Sequence, residues 1–174
     1  MRDRVHLFAV SLLVLFLELA AIRWFPAQVL FLTFFTNTVL LACFLGMSIG
    51  CLAADRPRNY VAWTPALLAI ALGAARGIEW WRERSGAAFG VGNVASPQLV
   101  FFGTESRAGD PSQFVLPIEV VAGVLFVLVA LAMLGPGQQM GRALARVPSR
   151  IEAYTVNIAG SLVGVLLFML GSRL

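Results

Sequence analysis

The stretch that decides the fold runs from Trp24 to Ala54. It reads WFPAQVLFLTFFTNTVLLACFLGMSIGCLAA and contains no charged residue. An α-helix rises about 1.5 Å per residue, so about 20 apolar residues cross the roughly 30 Å hydrocarbon core of a bilayer. This stretch is longer than that, and it predicts a membrane-spanning helix over residues 27–52. We expect Pro26, a helix-breaking residue, to close the helix before it.

The composition of the whole chain supports a membrane protein. Of its 174 residues, 59% are hydrophobic and 13% are charged, and the mean hydropathy is +0.84. A soluble domain usually carries about 25% charged residues. The net charge of +4 comes from arginines scattered over the loops, which does not favour nucleic acid as a partner. The lipid bilayer is the expected surrounding of a single domain.

Four further apolar segments predict spans, which makes an all-α polytopic bundle of about five helices. The predicted spans are residues 5–22, 27–52, 61–81, 114–133 and 152–171. The third is the weakest, because Arg76 and Glu79 lie in its last turns, and an in-plane helix is its alternative. Residues 82–113 are rich in Gly, Ser, Pro, Asn and Asp and predict a long extracytoplasmic loop. The Gly135-Pro136-Gly137 motif predicts a helix break followed by a basic linker over 135–150.

The arginines predict the orientation. With five spans, the N-terminus and the two short basic connections lie on one side, together with Arg2, Arg4, Arg56, Arg58, Arg142, Arg146 and Arg150. Cytoplasmic loops carry the excess of basic residues. We therefore expect a multi-pass membrane protein with a cytoplasmic N-terminus.

Two carboxylates inside predicted spans are the candidate ligand-binding residues. Ionisable groups in hydrocarbon are costly and often functional. Glu18 and Glu119 lie in the outer parts of their segments, at a depth that Arg23 and Arg76 share, and Arg23 is the third candidate ligand-binding residue. One hypothesis is an outward-opening polar pocket that binds a cationic or amine-bearing ligand. The alternative is that each carboxylate pairs with an arginine or is protonated, and only holds helices together.

Small residues spaced by four predict helix-packing faces. The pairs are Gly46 and Gly50, Gly73 and Gly77, and Gly160 and Gly164, which fit the close-approach pattern of membrane helices. In the last segment Tyr154, Asn157 and Ser161 extend the stripe of Gly160 and Gly164.

No catalytic or metal site can be nominated from the residues. His6 is the only histidine, and Cys43 and Cys51 are about 12 Å apart along a helix, so neither a disulfide nor a zinc site is expected. Gly90-Val91-Gly92 lacks the context of a dinucleotide-binding loop. We expect no cofactor.

Several stretches resemble a known family. LFLELAAIRWFP (15–26), TNTVLLACFLGMSIGCLAADR (36–56) and LGPGQQMGRALARVPSRIEAYTVNIAGSLVGVLLF (134–168) are similar to the membrane region of bacterial membrane-bound spermidine/spermine synthase-like proteins. The family's Ala-Tyr-x-x-Asn-x-x-Gly-Ser-x-x-Gly helix matches Ala153 through Gly164. Glu18 and Arg23 match its first helix, and Gly46 and Gly50 its second. The resemblance implies a scaffold of the bacterial inner membrane without the soluble aminopropyltransferase domain, whose motifs are not in this sequence.

Three functions follow as expectations. The first is a non-catalytic membrane scaffold or accessory subunit that packs against a membrane protein partner or forms an oligomer. The second is a binder or transporter of polyamine-like cations centred on Glu18 and Glu119. The third is the membrane anchor of an aminopropyltransferase, in which case the sequence is a fragment of a longer enzyme. The chain as given is expected not to be an enzyme.

Overall fold

A computed structural model describes residues 1–28, 36–85, 89–90 and 116–172, and over these the regular secondary structure is helical apart from one pair of two-residue strands. The helices are α1 (Arg2–Gln28), α2 (Thr36–Leu52), α3 (Thr64–Ser85), α4 (Ile118–Arg146) and α5 (Arg150–Gly171), and a 3-10 turn (Tyr60–Trp63) precedes α3. Strands β1 (Phe89–Gly90) and β2 (Leu116–Pro117) pair in parallel.

Within the described residues, four helical segments are long and apolar enough to cross a membrane: Arg2–Ala27, Tyr60–Ile78, Val120–Arg146 and Arg150–Gly171. Helix α2 is apolar but has 17 residues. Residues 29–35 of the predicted span 27–52 lie outside the described part of the chain, as does most of the predicted loop 82–113. The third predicted span forms a helix of full spanning length. Its Trp63 and Trp80 stand 17 positions apart, or about 26 Å along a helix axis, close to the thickness of a bilayer core.

Residue contacts show that the helices alternate in direction. Helices α2 and α4 run parallel, since a Cβ on Gly46 would meet Ala130 and one on Gly50 would meet Leu134. Helices α1 and α5 also run parallel, since Arg4 pairs with Glu152 and Phe16 packs edge-on against Phe168, with ring centroids 6.0 Å apart. Helix α3 is antiparallel to α4, since Thr64 at its start bonds to Ala132 while the 3-10 turn before it meets Gly135.

One end of the bundle therefore gathers the start of α1, the α2–α3 connection and the α4–α5 connection. We call it the arginine-rich end, because it carries Arg2, Arg4, Arg56, Arg58, Arg142, Arg146 and Arg150. The core is made largely of small side chains. Ala42, Cys43, Ala71 and Ala75 are fully buried between α1, α2, α3 and α4, so the helix backbones approach closely.

The predicted break at Gly135-Pro136-Gly137 is wrong. Helix α4 continues through Pro136 to Arg146, and only residues 147–149 separate it from α5. Proline removes the backbone N–H that would bond to the carbonyl four residues earlier, here that of Ala132. The Thr64 hydroxyl donates to this carbonyl at 3.3 Å. A neighbouring helix therefore supplies the missing donor, as is usual for proline in membrane helices.

Two other predicted boundaries are also wrong. Helix α1 continues through Pro26 to Gln28, so Ala27 belongs to α1 and not to the second span. A proline in the last turn removes only one hydrogen bond, which a helix end tolerates. Helix α3 extends through the predicted loop start at Arg82 to Ser85. Arg84 lies over the Trp80 ring at 5.1 Å, a cation–π contact that favours the extra turn.

Candidate functional site: a polar clasp and a cavity at the arginine-rich end

The most extensive polar cluster in the described part of the chain joins α4 to the α2–α3 connection. Gln138 is fully buried and bonds to the connection with both ends of its amide. Its Nε2 donates to the carbonyls of Ala53 at 2.9 Å and Arg58 at 2.8 Å. Its Oε1 accepts from the Tyr60 N–H at 3.0 Å. One side chain thus satisfies three backbone groups of an irregular segment, which buried backbone requires.

Arg142, one turn further along α4, binds the same connection. Its Nε donates to the Ala54 carbonyl at 2.9 Å, and its Nη2 donates to the carbonyls of Arg56 and Arg58. Ala54 lies just after the end of α2, where unpaired carbonyls carry partial negative charge that favours a cation. Gln139 adds a bond from its Nε2 to Asn59 Oδ1 at 2.8 Å. We call Gln138, Gln139 and Arg142 the loop clasp.

Glycines make the clasp possible by bringing the two helix backbones together. A Cβ on Gly137 would lie 2.6 Å from Met47 Cα, and one on Gly141 would lie 3.0 Å from Ala54 Cβ. Gly46 and Gly50 on α2 are equally close to the backbone of α4. Only glycine allows this approach, so the amide of Gln138 reaches across to the connection.

An open cavity of about 490 Å³ lies beside the clasp, between the 3-10 turn, α3 and α4. It is lined by Arg58, Asn59, Tyr60, Trp63, Leu67, Leu131 and Leu134. Its volume falls in the range of about 300–1,000 Å³ that small-molecule sites occupy. The clasp holds the polar part of its wall in place, because Arg58, Asn59 and Tyr60 are the residues it bonds.

Of the predicted ligand-binding residues, Glu18 and Arg23 do not line this cavity. Glu18 is 5% exposed and lies in the core near Cys43, close enough for an electrostatic interaction. Arg23 is exposed on α1. The position of Glu119 is in the first turn of α4, and its side chain lies outside the described residues. Arg76 is exposed on α3 and takes part in an interaction of its own.

The predicted packing glycines fall into two groups. Gly46 and Gly50 lie against α4, and Gly160 and Gly164 lie against Phe8, Ser11 and Leu12 of α1. In contrast, a Cβ on Gly73 or Gly77 would meet nothing within 4 Å.

The polar residues predicted to form one stripe on α5 differ in burial and in contacts. Asn157 Oδ1 accepts from the Ser11 hydroxyl at 2.8 Å and so bonds α5 to α1. Ser161 is half-buried one turn later, and Tyr154 is exposed.

Among the described residues no group of three or more His, Cys, Asp or Glu side chains is placed to hold a metal ion. Cys43 is buried and Cys51 is exposed, both as free thiols. The Cys51 thiol donates to the Gly137 carbonyl at 3.3 Å.

The sequence analysis did not predict the loop clasp or the cavity at this end of the bundle. Gln138 is mentioned there only as part of the stretch 134–168 that resembles a family, and Arg142 only for its positive charge. Thr64 and Trp63 are not predicted to have a role. A usable signal was present: two adjacent glutamines, with an arginine one turn later, come directly after a long apolar run, where polar side chains need partners.

No known protein family, curated protein or solved structure matches this chain in comparisons of sequence and structure.

Proposed function

We propose that this chain is a non-catalytic scaffold or accessory subunit of the bacterial inner membrane, spanning it five times with the arginine-rich end in the cytoplasm. In this proposal α3 packs against a helix of a membrane protein partner or of a second copy. The observation that carries it is the contrast between the glycine pairs. Gly46 and Gly50 contact α4 and Gly160 and Gly164 contact α1, whereas Gly73 and Gly77 face open space.

The surroundings of the α3 pair support a helix-docking face. Ile70, Gly73, Gly77 and Trp80 follow one another at spacings of three, four and three, and all are exposed. Residues at these spacings lie on one side of a helix. Two glycines flanked by larger apolar side chains form a groove into which another helix backbone fits. Lipid alone does not require glycine there, and glycine costs helix stability relative to alanine.

Photo-crosslinking in native membranes tests this function. A photoreactive residue in place of Ile70 is expected to form one crosslinked product of defined mass, because the partner backbone lies against this face. Replacing Gly73 and Gly77 together with leucine should remove that product, since the larger side chains fill the groove.

Gly123→Leu is the matched control. Gly123 also has nothing within 4 Å of its Cβ position, but it lies on α4 without a second glycine one turn away. The crosslink should survive this substitution. A chain that gives no crosslink from position 70, or whose crosslink is unchanged when both α3 glycines are leucine, contradicts the proposal.

A second candidate function, binding or transport of polyamine-like cations, is favoured by Glu18. As a residue Glu18 is 5% exposed, and no hydrogen bond or ion pair joins its side chain to another residue of the described chain. An ionised carboxylate in such a place needs a cation beside it. Labelled spermidine should bind the purified protein, and Glu18→Gln should abolish that binding. Glu152→Gln, which removes an acid paired with Arg4 at the bundle end, should leave it unchanged.

The aminopropyltransferase-anchor function remains a prediction from the resemblance. It requires a reading frame that continues into a soluble domain with a glycine-rich nucleotide loop, and the genomic sequence tests it directly.

A further inference from the structure

The cavity beside the loop clasp combines an apolar floor with a basic rim. Leu67, Leu131 and Leu134 form the apolar part, and Arg58 stands at the other end. Trp63 is 67% exposed and Leu131 is 43% exposed. The cavity therefore opens on the outer surface of the helices, where the apolar side chains of α3 and α4 face the surroundings.

The depth of the cavity matches the boundary between hydrocarbon and headgroups. Trp63 precedes α3 directly, and tryptophan side chains are enriched at that boundary. Leu67 lies one turn further along α3, and Leu131 lies one turn from Gly135, which contacts the 3-10 turn. The apolar floor thus extends into the hydrocarbon layer, while Arg58 remains at headgroup level.

The charge around the cavity opening determines which class of ligand the cavity favours. The α2–α3 connection and its clasp bring together Arg56, Arg58 and Arg142, and Asp55 is the one acid among residues 53–60. The guanidinium of Arg58 is exposed and forms no ion pair within the described chain. This excess of positive charge disfavours a polyamine and favours a phosphate-bearing headgroup, as basic pockets between membrane helices do.

We propose that the cavity binds an anionic phospholipid, with one acyl chain along Leu67, Leu131 and Leu134 and the headgroup phosphate on Arg58. The clasp makes the site rigid before the lipid arrives. Gln138 and Arg142 both bond to the Arg58 carbonyl, so the residue that meets the phosphate is fixed at its backbone. A preformed site loses little conformational entropy on binding.

Quenching of Trp63 fluorescence by brominated lipid tests the proposal. The protein carries Trp24→Phe, Trp80→Phe and Trp81→Phe, so that Trp63 alone reports. It is reconstituted into phosphatidylcholine vesicles containing 20% brominated phosphatidylglycerol or, in parallel, 20% brominated phosphatidylcholine.

Brominated phosphatidylglycerol is expected to occupy the site several-fold more strongly than brominated phosphatidylcholine at equal mole fraction. Arg58→Gln should lower the preference by roughly five-fold, because a basic residue at an anionic surface contributes about 1 kcal/mol and each 1.4 kcal/mol is a tenfold change. Leu131→Trp fills the floor and should reduce occupancy by either lipid. This variant is assayed by displacement of radiolabelled phosphatidylglycerol, because its added indole would also fluoresce.

Arg150→Gln is the matched control, since Arg150 is an exposed arginine at the same end that does not line the cavity. It should keep the preference. Equal loss from Arg58→Gln and Arg150→Gln would mean that the whole end attracts anionic lipid, and it would overturn the local site. Equal quenching by the two lipids in the parent protein would overturn it as well, and so would loss of the preference on adding inorganic phosphate to the vesicles.

Discussion

Replacing Gln138 with leucine removes the three hydrogen bonds of its buried amide. The leucine side chain is apolar and of similar size, so it fills the same place. The partners are the carbonyls of Ala53 and Arg58 and the N–H of Tyr60. These partners do not lose equally. The Ala53 carbonyl still accepts from the Arg56 N–H at 3.1 Å, and the Arg58 carbonyl still accepts from Arg142 at 3.2 Å.

The Tyr60 N–H is the group that loses its acceptor. Leaving a buried donor unsatisfied costs about 1–3 kcal/mol, and a hydrogen bond whose acceptor keeps a second donor contributes nearer the low end of about 0.5–1.5 kcal/mol. Tyr60 is half-buried, so the cost of its unsatisfied N–H lies near the low end of the range for a buried donor. Together these give about 2 kcal/mol in the free energy that holds the α2–α3 connection closed.

Trypsin cleavage after Arg58, followed by mass spectrometry in mild detergent, measures this free energy. Cleavage of a transiently opened segment follows the population of the open form when opening is fast. A loss of about 2 kcal/mol corresponds to roughly 30-fold faster cleavage. Gln139→Leu is the control, since it removes a single exposed bond to Asn59 and should change the rate less than about threefold. Equal cleavage rates for the two variants would refute the conclusion that the Gln138 amide holds the α2–α3 connection closed.

Three further predictions about the packing are tested by unfolding in detergent. Thr64→Val should lower the free energy of unfolding by about 1 kcal/mol in the parent protein. In a Pro136→Ala protein, where residue 136 again has a backbone donor, it should lower it by almost nothing. Equal losses in the two proteins would contradict the role of Thr64 as the replacement donor. Gly46→Ala should cost about 1–3 kcal/mol because its Cβ meets the α4 backbone, whereas Gly73→Ala should cost nothing; a harmless Gly46→Ala would refute the contact. Asn157→Leu should cost about 0.6 kcal/mol, the average for polar bonds between membrane helices, and a loss above about 2 kcal/mol would contradict so small a role.

Local sequence patterns were enough to predict that the chain is helical and where most helices lie. The apolar segments predicted over 5–22 and 152–171 fall within helical segments long enough to cross a membrane. Most of 61–81 and most of the described part of 114–133 do so as well, in Tyr60–Ile78 and Val120–Arg146. The reason is physical: backbone polar groups in an apolar surrounding must bond within their own segment, so a long apolar run has few alternatives to a helix.

Predictions whose outcome depends on a neighbouring helix were wrong or could not be decided from the sequence. Pro136 predicts a break because its missing N–H is visible in the sequence, whereas the Thr64 hydroxyl that compensates lies 72 positions earlier. The three predicted glycine pairs are alike as spacings. Only the structure separates Gly46 and Gly160, which contact another helix, from Gly73, which does not.

The long uncharged stretch from Trp24 to Ala54 illustrates the same division. Its composition by itself predicted an apolar helix over 27–52 that ends before Asp55 and Arg56, and the structure shows that helix over Thr36–Leu52. The tertiary structure decided that Ala27 belongs to the helix before, and that the connection after Leu52 is held by Gln138 and Arg142 from α4. Helix formation depends on bonds four residues apart, whereas a clasp depends on which helices become neighbours, and that is set by packing of the whole bundle.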